Sequence, residues 1–256
     1  MDIQLWQWIY GAAAALLVGI SKTGMPGAGI LVVTILAMAF GGWQATGIMT
    51  PMLIFGDVFA VLWYRQHAQW DKLVKLFPWV AAGMIAGMIS LWLVGESKST
   101  KDILGIVIGV MVLGMLALHI LKGRFGDKLT PQSKLGVLGT GAVAGFTTMV
   151  SNAAGPVMSI YLAGLKMPKR QFIGTLAWFF FIMNLSKVPV YAVLSRLHPA
   201  KPMLTVHGLL IDLMLLPAIL VGVFIGKWML LRISQRTFET VVLLLAGAAA
   251  IKLIIS

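Results

Sequence analysis

Two short polar stretches interrupt long apolar regions of the sequence, and they hold residue types suited to binding a small anion. The first is Ser21-Lys22-Thr23-Gly24-Met25-Pro26-Gly27, and the second runs from Thr147 to Pro156. Small residues let an anion approach the backbone, while lysine, serine, threonine and asparagine side chains donate hydrogen bonds. If a helix begins after each stretch, its first N–H groups have no partner within the helix. Together with the helix dipole, those groups form an anion site.

Three ionisable residues, Lys22, Asp57 and Lys187, fall inside otherwise apolar sequence. A charge at membrane depth is costly, so each of them is a functional-site hypothesis. We predict that Asp57 and Asn184 act in ion coupling or gating. Two other interpretations stay open, because Lys22 can extend its ammonium group to a membrane interface and Asp57 can pair with a lysine as a structural contact. Three titratable residues near span ends or alone on apolar faces are interpreted as structural: His119, His207 and Asp212.

The predicted substrate ligands come from both polar stretches and from the apolar run that contains Lys187. They are Lys22, Thr23, Gly24, Pro26, Gly27, Gly29, Ser151, Asn152, Ala153, Gly155 and Lys187. We predict no metal and no cofactor, because the chain has no cysteine and no clustered metal ligands. It also contains no metalloprotease, nucleophile-elbow or P-loop motif, so we expect that it is not an enzyme.

The elements that position these residues are expected to be membrane helices. Hydrophobic residues make up 59% of the 256 residues and charged residues only 11%, whereas about a quarter of the residues of a soluble domain are charged. A spanning helix needs about 20 apolar residues, and such runs occur at 44–64, 73–95, 102–121, 171–195, 204–230 and 236–255. The formal charge of +12 is spread over short connectors, so no nucleic acid is expected as a partner.

Two further apolar regions, 5–40 and 134–165, are too long for one spanning helix, and a polar stretch breaks each of them. We predict that each forms a broken, re-entrant helical hairpin with its polar tip at membrane depth. With both hairpins in place, most lysine and arginine residues fall in loops on one side, as the positive-inside rule requires of the cytoplasmic side. If each region crossed the membrane once, the two sides would be almost equally charged. The hairpin arrangement places both termini outside.

The halves 1–125 and 126–256 share one order of features, which predicts an internal repeat. Gly83 and Gly87, which follow Leu76-Phe77-Pro78, match Gly222 and Gly226, which follow Leu215-Leu216-Pro217. Further aligned pairs are Gly19 with Gly145, Gly29 with Gly155, Gly47 with Gly174, and Asp57 with Asn184. A hairpin plus three crossings is an odd number of passes, so the second repeat is expected to be inverted. Inverted repeats of secondary transporters bind substrate where they meet, near the midplane. Chance recurrence of glycine and proline is the alternative.

Over essentially its whole length, the sequence resembles the TauE/SafE family of membrane permeases, also called the 4-toluene sulfonate uptake permease family. Gly19 to Gly29 is similar to the first family segment, and Ser151 to Pro156 is similar to its counterpart in the second half. The segment from Pro168 to Pro189 is also similar. The resemblance implies transport of a sulfur-containing anion such as sulfite, sulfoacetate or another sulfonate, often outward across the bacterial inner membrane.

We therefore predict a multi-pass secondary transporter of the bacterial inner membrane that exports a small sulfur-containing anion by alternating access. Three alternatives stay open: an anion channel, a proton-coupled anion uptake permease, and a membrane scaffold that transports nothing. The expected partners are the small anion and the lipid bilayer, and a homodimer is compatible with the sequence.

Overall fold

The computed structural model describes residues 4–25, 29–40, 42–96, 133–197 and 202–234, together with thirteen scattered positions between 110 and 255. These residues form helices joined by short connections, and no strand occurs among them. The helices are α1 (Leu5–Thr23), α2 (Gly29–Phe40), α3 (Gly42–Tyr64), α4 (Trp70–Glu96), α5 (Lys134–Ser151), α6 (Ala154–Gly164), α7 (Lys169–Leu197) and α8 (Val206–Arg232). A short 3-10 turn, Arg65–His67, follows α3.

Four of these segments are long and apolar enough to cross a membrane. They are Gln44–His67, Trp70–Leu93, Lys169–Leu197 and Val206–Arg232, and they coincide with the predicted spans 44–64, 73–95, 171–195 and 204–230. The prediction of an all-α, polytopic membrane protein is therefore confirmed. The predicted spans 102–121 and 236–255 lie outside the described residues except for isolated positions.

The first broken region folds back on itself. Gln7, near the start of α1, donates a hydrogen bond of 2.8 Å from its side-chain amide to the backbone oxygen of Ala39, near the end of α2. At about 1.5 Å rise per residue, the 12 residues of α2 cover most of the length of α1 in the opposite direction. Helices α1 and α2 thus form an antiparallel pair.

The second break is narrower than the sequence predicted. Helix α5 continues through Thr147 to Ser151, so that only Asn152 and Ala153 lie between α5 and α6. The polar side chains do not end α5, because Thr147 Oγ1 donates to the backbone oxygen of Val143 at 2.8 Å, within the helix itself. Pro156 is also compatible with helix, since it lies in the first turn of α6, where no N–H donor is needed. The prediction of a break over 147–156 was wrong in extent.

Close glycine contacts hold α1 against α8 and α5 against α4. A Cβ atom added to Gly19 would overlap the backbone of Ile219 and Val223, and one added to Gly145 would overlap the backbone of Val80 and Met84. In the same way, Gly83 packs on Ala142, and Gly222 packs on Leu16. When the two halves are aligned as in the sequence, the contact at Gly19 corresponds to the contact at Gly145, and the contact at Gly83 corresponds to the contact at Gly222. This correspondence supports the predicted repeat. Its inversion in a bilayer stays a prediction.

The remaining long helices, α3 and α7, cross the centre of the bundle as an antiparallel pair. A hydrogen bond joins Asn184 on α7 to Asp57 on α3, and Gly174, earlier on α7, packs against the backbone of Tyr64, later on α3. One hydrophobic cluster is centred on α4, α5, α6 and α7, and a second on α1, α2, α3 and α8. The helix breaks and the ionisable residues lie where these clusters meet.

Candidate functional site

The centre of the site is a buried ion pair between Lys22 and Asp57. Lys22 stands in the last turn of α1, and its Nζ lies 2.7 Å from Oδ1 of Asp57. The other carboxylate oxygen, Oδ2, accepts a hydrogen bond of 2.7 Å from the side-chain amide of Asn184. The Lys22 side chain is 8% exposed and the Asp57 side chain is fully buried. The three residues thus join α1, α3 and α7 through one polar contact network.

An aromatic ring completes the surroundings of Lys22. The Nζ atom of Lys22 lies 4.4 Å from the centroid of the Phe180 ring, within the range of a cation–π interaction. Phe180 precedes Asn184 by one helical turn on α7, so both side chains face Lys22. This position holds the ammonium group between one charged partner and one polarisable apolar partner. The Lys22 side chain is thus buried within the helical bundle.

Lys187 is a second buried lysine, and its partners are uncharged. Its Nζ donates to the backbone oxygen of Thr148 at 3.2 Å and to Thr148 Oγ1 at 3.3 Å, and it also donates to Oδ1 of Asn152. Lys187 is fully buried and forms no ion pair with any residue that the structure describes. Its contact with Thr148 lies at the carboxyl end of α5, where the helix dipole favours a positive charge.

Asn152 is the residue at which the second broken region turns. Its φ of 57° is left-handed, a conformation that asparagine adopts more readily than most residues. The side chain is held at both ends, because Oδ1 accepts from Lys187 and Nδ2 donates to the backbone oxygen of Thr46 at 3.2 Å. The helix break on this side is therefore fixed in place by Lys187 and by α3.

A cavity of about 40 Å³ lies between the two helix breaks. At about 10–15 Å³ for each water molecule, it has room for a few waters or a compact ion. Its wall combines both breaks with the central pair of helices: Ser21, Lys22, Gly29, Met49, Leu53, Asp57, Asn152, Ala153, Gly155, Leu176, Ala177, Phe180 and Asn184. One part of the cavity wall is thus polar and charged, and the other part is apolar.

Two helix N-termini lie at this cavity. Gly29 begins α2 and Gly155 is the second residue of α6, and both line the cavity wall. The N–H groups of a first helical turn have no acceptor within their own helix. A Cβ atom added to Gly155 would meet no other atom within 4 Å, so the space beside this helix terminus is open. The positive ends of two helix dipoles therefore face one small volume.

The structure separates the predicted site residues into two groups. Seven of them line the cavity: Lys22, Gly29, Asp57, Asn152, Ala153, Gly155 and Asn184. Four described residues have other contacts and do not line it. Thr23 donates to the backbone oxygen of Val223 at 2.8 Å, Gly24 packs on Gly226, Ser151 donates to the backbone oxygen of Thr147 at 3.4 Å, and Lys187 lies behind Asn152. Pro26 and Gly27 lie outside the described residues.

The apolar part of the cavity wall was missed in the sequence. Met49 and Leu53 precede Asp57 by two turns and one turn on α3, and Phe180 precedes Asn184 by one turn on α7. The helical spacing from the two polar residues was a usable signal, because residues four apart share one face of a helix. The four-residue spacing from Asn184 also distinguishes Phe180 from its neighbours Phe179 and Phe181.

The polar groups of the cavity wall are suited to binding an ion. In the part of the chain that the structure describes, no group of three or more histidine or acidic side chains is placed to hold a metal ion. The cavity wall offers one ammonium group, one carboxylate, two side-chain amides, a serine hydroxyl and two helix termini. The carboxylate accepts hydrogen bonds, whereas the other groups can donate them and suit a small oxyanion.

Comparison with known proteins gives one match. The model of a protein family described as sulfite exporter TauE/SafE matches residues 11–253, nearly the whole chain. No curated protein matches the chain. No solved structure matches it either.

Proposed function

The chain belongs to the sulfite exporter TauE/SafE family, and we propose that it is a secondary transporter that moves a small sulfur-containing anion across the bacterial inner membrane. The substrate is a sulfonate, a sulfoacetate-like compound or a sulfite-like oxyanion, held between the two helix breaks. Transport follows alternating access, with the cavity opening to one side of the membrane at a time. Families of this kind transport solutes rather than catalyse reactions, so no catalytic residue is proposed.

The observation that carries this proposal is that two lysines and only one acidic side chain are buried at the cavity or directly behind it, among the residues that the structure describes. Lys22 and Asp57 cancel each other, whereas Lys187 has only neutral partners among the described residues. An unbalanced charge in the interior of a protein costs several kcal/mol. A bound monoanion supplies the missing negative charge, and the N-termini of α2 and α6 add donors that need no rearrangement.

The lining of the cavity favours a compact charged group attached to a small apolar body. The volume of about 40 Å³ suits a sulfite or sulfonate head group, and Met49, Leu53 and Phe180 offer apolar contacts. We propose Lys22, Gly29 and Gly155 as direct ligands of the anion. Asn152 shapes the wall, and Lys187 supplies charge from behind it.

Export agrees with the energetics of the membrane potential. Moving one charge through 100 mV is worth about 2.3 kcal/mol, which corresponds to a ratio of about fifty-fold at equilibrium. A monoanion that leaves a negative interior gains this free energy, so export needs no coupling ion. Uptake would need one.

The test is counterflow in proteoliposomes that contain the purified protein. Vesicles loaded with unlabelled sulfite or with a small sulfonate should transiently accumulate the labelled anion, which a carrier does and a channel does not. Lys22→Ala should abolish this accumulation, while Lys72→Ala should leave it intact. Lys72 is a matched control, because it also pairs with an aspartate, Asp71 at 2.9 Å, but on the surface. Unchanged counterflow in Lys22→Ala would remove Lys22 from the site.

A second variant distinguishes a loss of anion binding from a loss of folding. Lys22→Ala leaves the buried carboxylate of Asp57 unpaired, which by itself destabilises the protein. The double variant Lys22→Ala/Asp57→Ala removes both charges of the ion pair. If this double variant has wild-type thermal stability and still shows no counterflow, the loss belongs to anion binding rather than to folding. If the wild type lets the labelled anion equilibrate but never accumulates it transiently, a channel is favoured.

A further inference from the structure

Asp212 is a buried carboxyl group that takes no part in the anion site. It lies on α8, between one and two turns after the helix begins at Val206. Only 5% of the residue is exposed. Both carboxyl oxygens are inaccessible to water, and neither has a hydrogen-bond partner. Among the residues that the structure describes, no other carboxyl group has both oxygens buried and unpartnered.

The described residues that line the surroundings of Asp212 are uncharged. It faces a small pocket lined by Gly47, Ile48 and Pro51 on α3, by Met203, Leu204 and Thr205 ahead of α8, and by Gly208 and Leu209 on α8 itself. None of these side chains can titrate. An ionised carboxylate in this place has lost its hydration and gained no donor, which is strongly unfavourable. The neutral acid therefore fits this conformation, and the ionised acid requires another one.

The titratable groups on the neighbouring elements have other partners or positions. On α1 and α3, Lys22 pairs with Asp57, and Tyr64 donates to the backbone oxygen of Thr23. Tyr10 on α1 is exposed and stacks edge-on against Trp6. His207, on α8 itself, is exposed. None of them forms a hydrogen bond or an ion pair with Asp212.

Residues 203–205 cover the carboxyl group. Met203 and Leu204 pack in one hydrophobic cluster, and Thr205 caps α8 by accepting from the Gly208 N–H at 2.9 Å. The backbone N–H groups of Met203 and Leu204 both donate to one hydroxyl, Ser195 Oγ, at 2.9 and 3.0 Å. The backbone of Met203 also packs directly on Gly47, where a Cβ atom would find no space. Four residues after Gly47, Pro51 has no N–H to donate to the Gly47 oxygen, so α3 lacks one helical hydrogen bond at the same point.

From these observations we infer that Asp212 is a proton-binding site whose proton holds residues 203–205 closed. When the carboxylic acid releases its proton to water, the segment moves away and the carboxylate becomes hydrated. When the proton returns, the segment closes again over the neutral acid. The ligand is a proton because the closed pocket has no room for water or for a larger ion. This site is separate from the anion cavity and does not depend on which anion is carried.

Infrared spectroscopy of the purified protein in lipid nanodiscs tests the proton directly. The wild type should show the carbonyl stretch of a protonated carboxyl group, and this band should disappear as the pH is raised. Asp212→Asn should lack the band at every pH. Asp71→Asn, which removes a carboxyl group whose side chain is 56% exposed, should leave the band unchanged. A band that persists in Asp212→Asn would overturn the assignment.

Thiol labelling tests the movement of the segment, since the natural chain contains no cysteine. Met203→Cys places a thiol at a buried position of the segment, and Val206→Cys places one nearby at a residue that is 77% exposed. The labelling rate of Met203→Cys is divided by that of Val206→Cys, and this ratio corrects for ionisation of the thiol itself. We expect this ratio to rise about tenfold, equal to a shift of about 1.4 kcal/mol, as the infrared band disappears. In Asp212→Asn the ratio should stay low at every pH.

An equal rise of the ratio in Asp212→Asn would overturn the link between the proton and the segment. A ratio that stays flat in the wild type would do the same. If Met203→Cys does not fold, Leu204→Cys, at a half-buried position of the same segment, takes its place. Both measurements are made without any transported anion, so their failure would leave the proposed anion site untouched. A failed counterflow experiment would likewise leave the proton site standing.

Discussion

The side-chain amide of Asn184 donates a hydrogen bond of 2.7 Å to the carboxylate of Asp57, and the predicted repeat gives these two residues equivalent positions in the two halves of the sequence. Equivalent residues that touch each other must lie beside the axis that relates the halves. One half thus supplies a negative charge at this point, and the other half supplies a neutral amide of the same shape. The central contact is therefore chemically asymmetric within a nearly symmetric arrangement of helices.

Replacing Asp57 with asparagine should destabilise the protein and make it more dependent on an anion. The substitution leaves the Lys22 ammonium buried without its carboxylate, which should cost about 3–5 kcal/mol in the free energy of unfolding. A bound anion replaces the missing charge. Saturating sulfite should therefore raise the thermal midpoint of Asp57→Asn more than that of the wild type.

Thermal unfolding with and without sulfite measures both effects of the Asp57 substitution. Asp71→Asn is the matched control, because its carboxylate pairs with Lys72 on the surface, where an ion pair contributes only about 0–1 kcal/mol. Equal stabilisation of Asp57→Asn and the wild type by sulfite would argue against an anion beside Lys22.

Lys187→Met should weaken anion binding even though Lys187 does not line the cavity. The substitution removes the second buried lysine and leaves the Thr148 and Asn152 oxygens without their donor. Each buried oxygen that loses its donor lowers the free energy of unfolding by about 1–3 kcal/mol. We expect the dissociation constant for sulfite to rise at least about tenfold, or about 1.4 kcal/mol, in isothermal titration. Lys75→Met, at an exposed position on α4, should change neither the stability nor the dissociation constant for sulfite. Similarly weakened sulfite binding in Lys75→Met would indicate a general charge effect.

Gly155→Ala should weaken anion binding without changing the stability of the protein. An added Cβ at Gly155 meets no atom within 4 Å, so the thermal midpoint should stay within the error of the wild type. The same methyl group would stand in the cavity at the N-terminus of α6, where it should raise the dissociation constant for the anion about tenfold, or about 1.4 kcal/mol. Gly139→Ala, which also meets no atom within 4 Å but does not line the cavity, should bind normally. Unchanged binding by Gly155→Ala would place the anion elsewhere.

The two ends of the second hairpin should lie on the same side of the membrane. Leu135→Cys and Lys166→Cys place thiols at exposed residues near the start of α5 and just after α6. A membrane-impermeant thiol reagent should label both in inside-out vesicles and neither in right-side-out vesicles. Labelling of the two positions from opposite sides would show that α5 and α6 together cross the bilayer, and the proposed anion site could not form.

Much of the helical architecture could be predicted from the sequence. A run of about 20 apolar residues must be helical in a bilayer, because no other local structure satisfies its backbone hydrogen bonds. The four described spans therefore lie where the hydropathy predicted them. The interruptions in the chain were visible because lysine and asparagine are rare within apolar runs. The placement of both termini outside and the formation of a homodimer stay predictions.

The extent of the second break depended on contacts that the sequence does not show. Threonine and serine hydroxyls can either end a helix or donate to the preceding turn within it, and in α5 they do the latter as far as Ser151. The turn falls at Asn152, where Lys187 and the backbone of Thr46 hold the side chain. These partners are far away along the chain, so local propensity could not locate the turn.

The sequence by itself determined that this chain is a helical membrane protein with few internal charges, because composition and run length decide which groups a bilayer can accept. Only the tertiary structure decided how those charges are used. Lys22 and Lys187 were equivalent as isolated lysines in apolar sequence, but one faces a carboxylate in the cavity and the other stands behind Asn152. The energy of a buried charge depends on the atoms within a few ångströms, and helices distant in sequence supply those atoms.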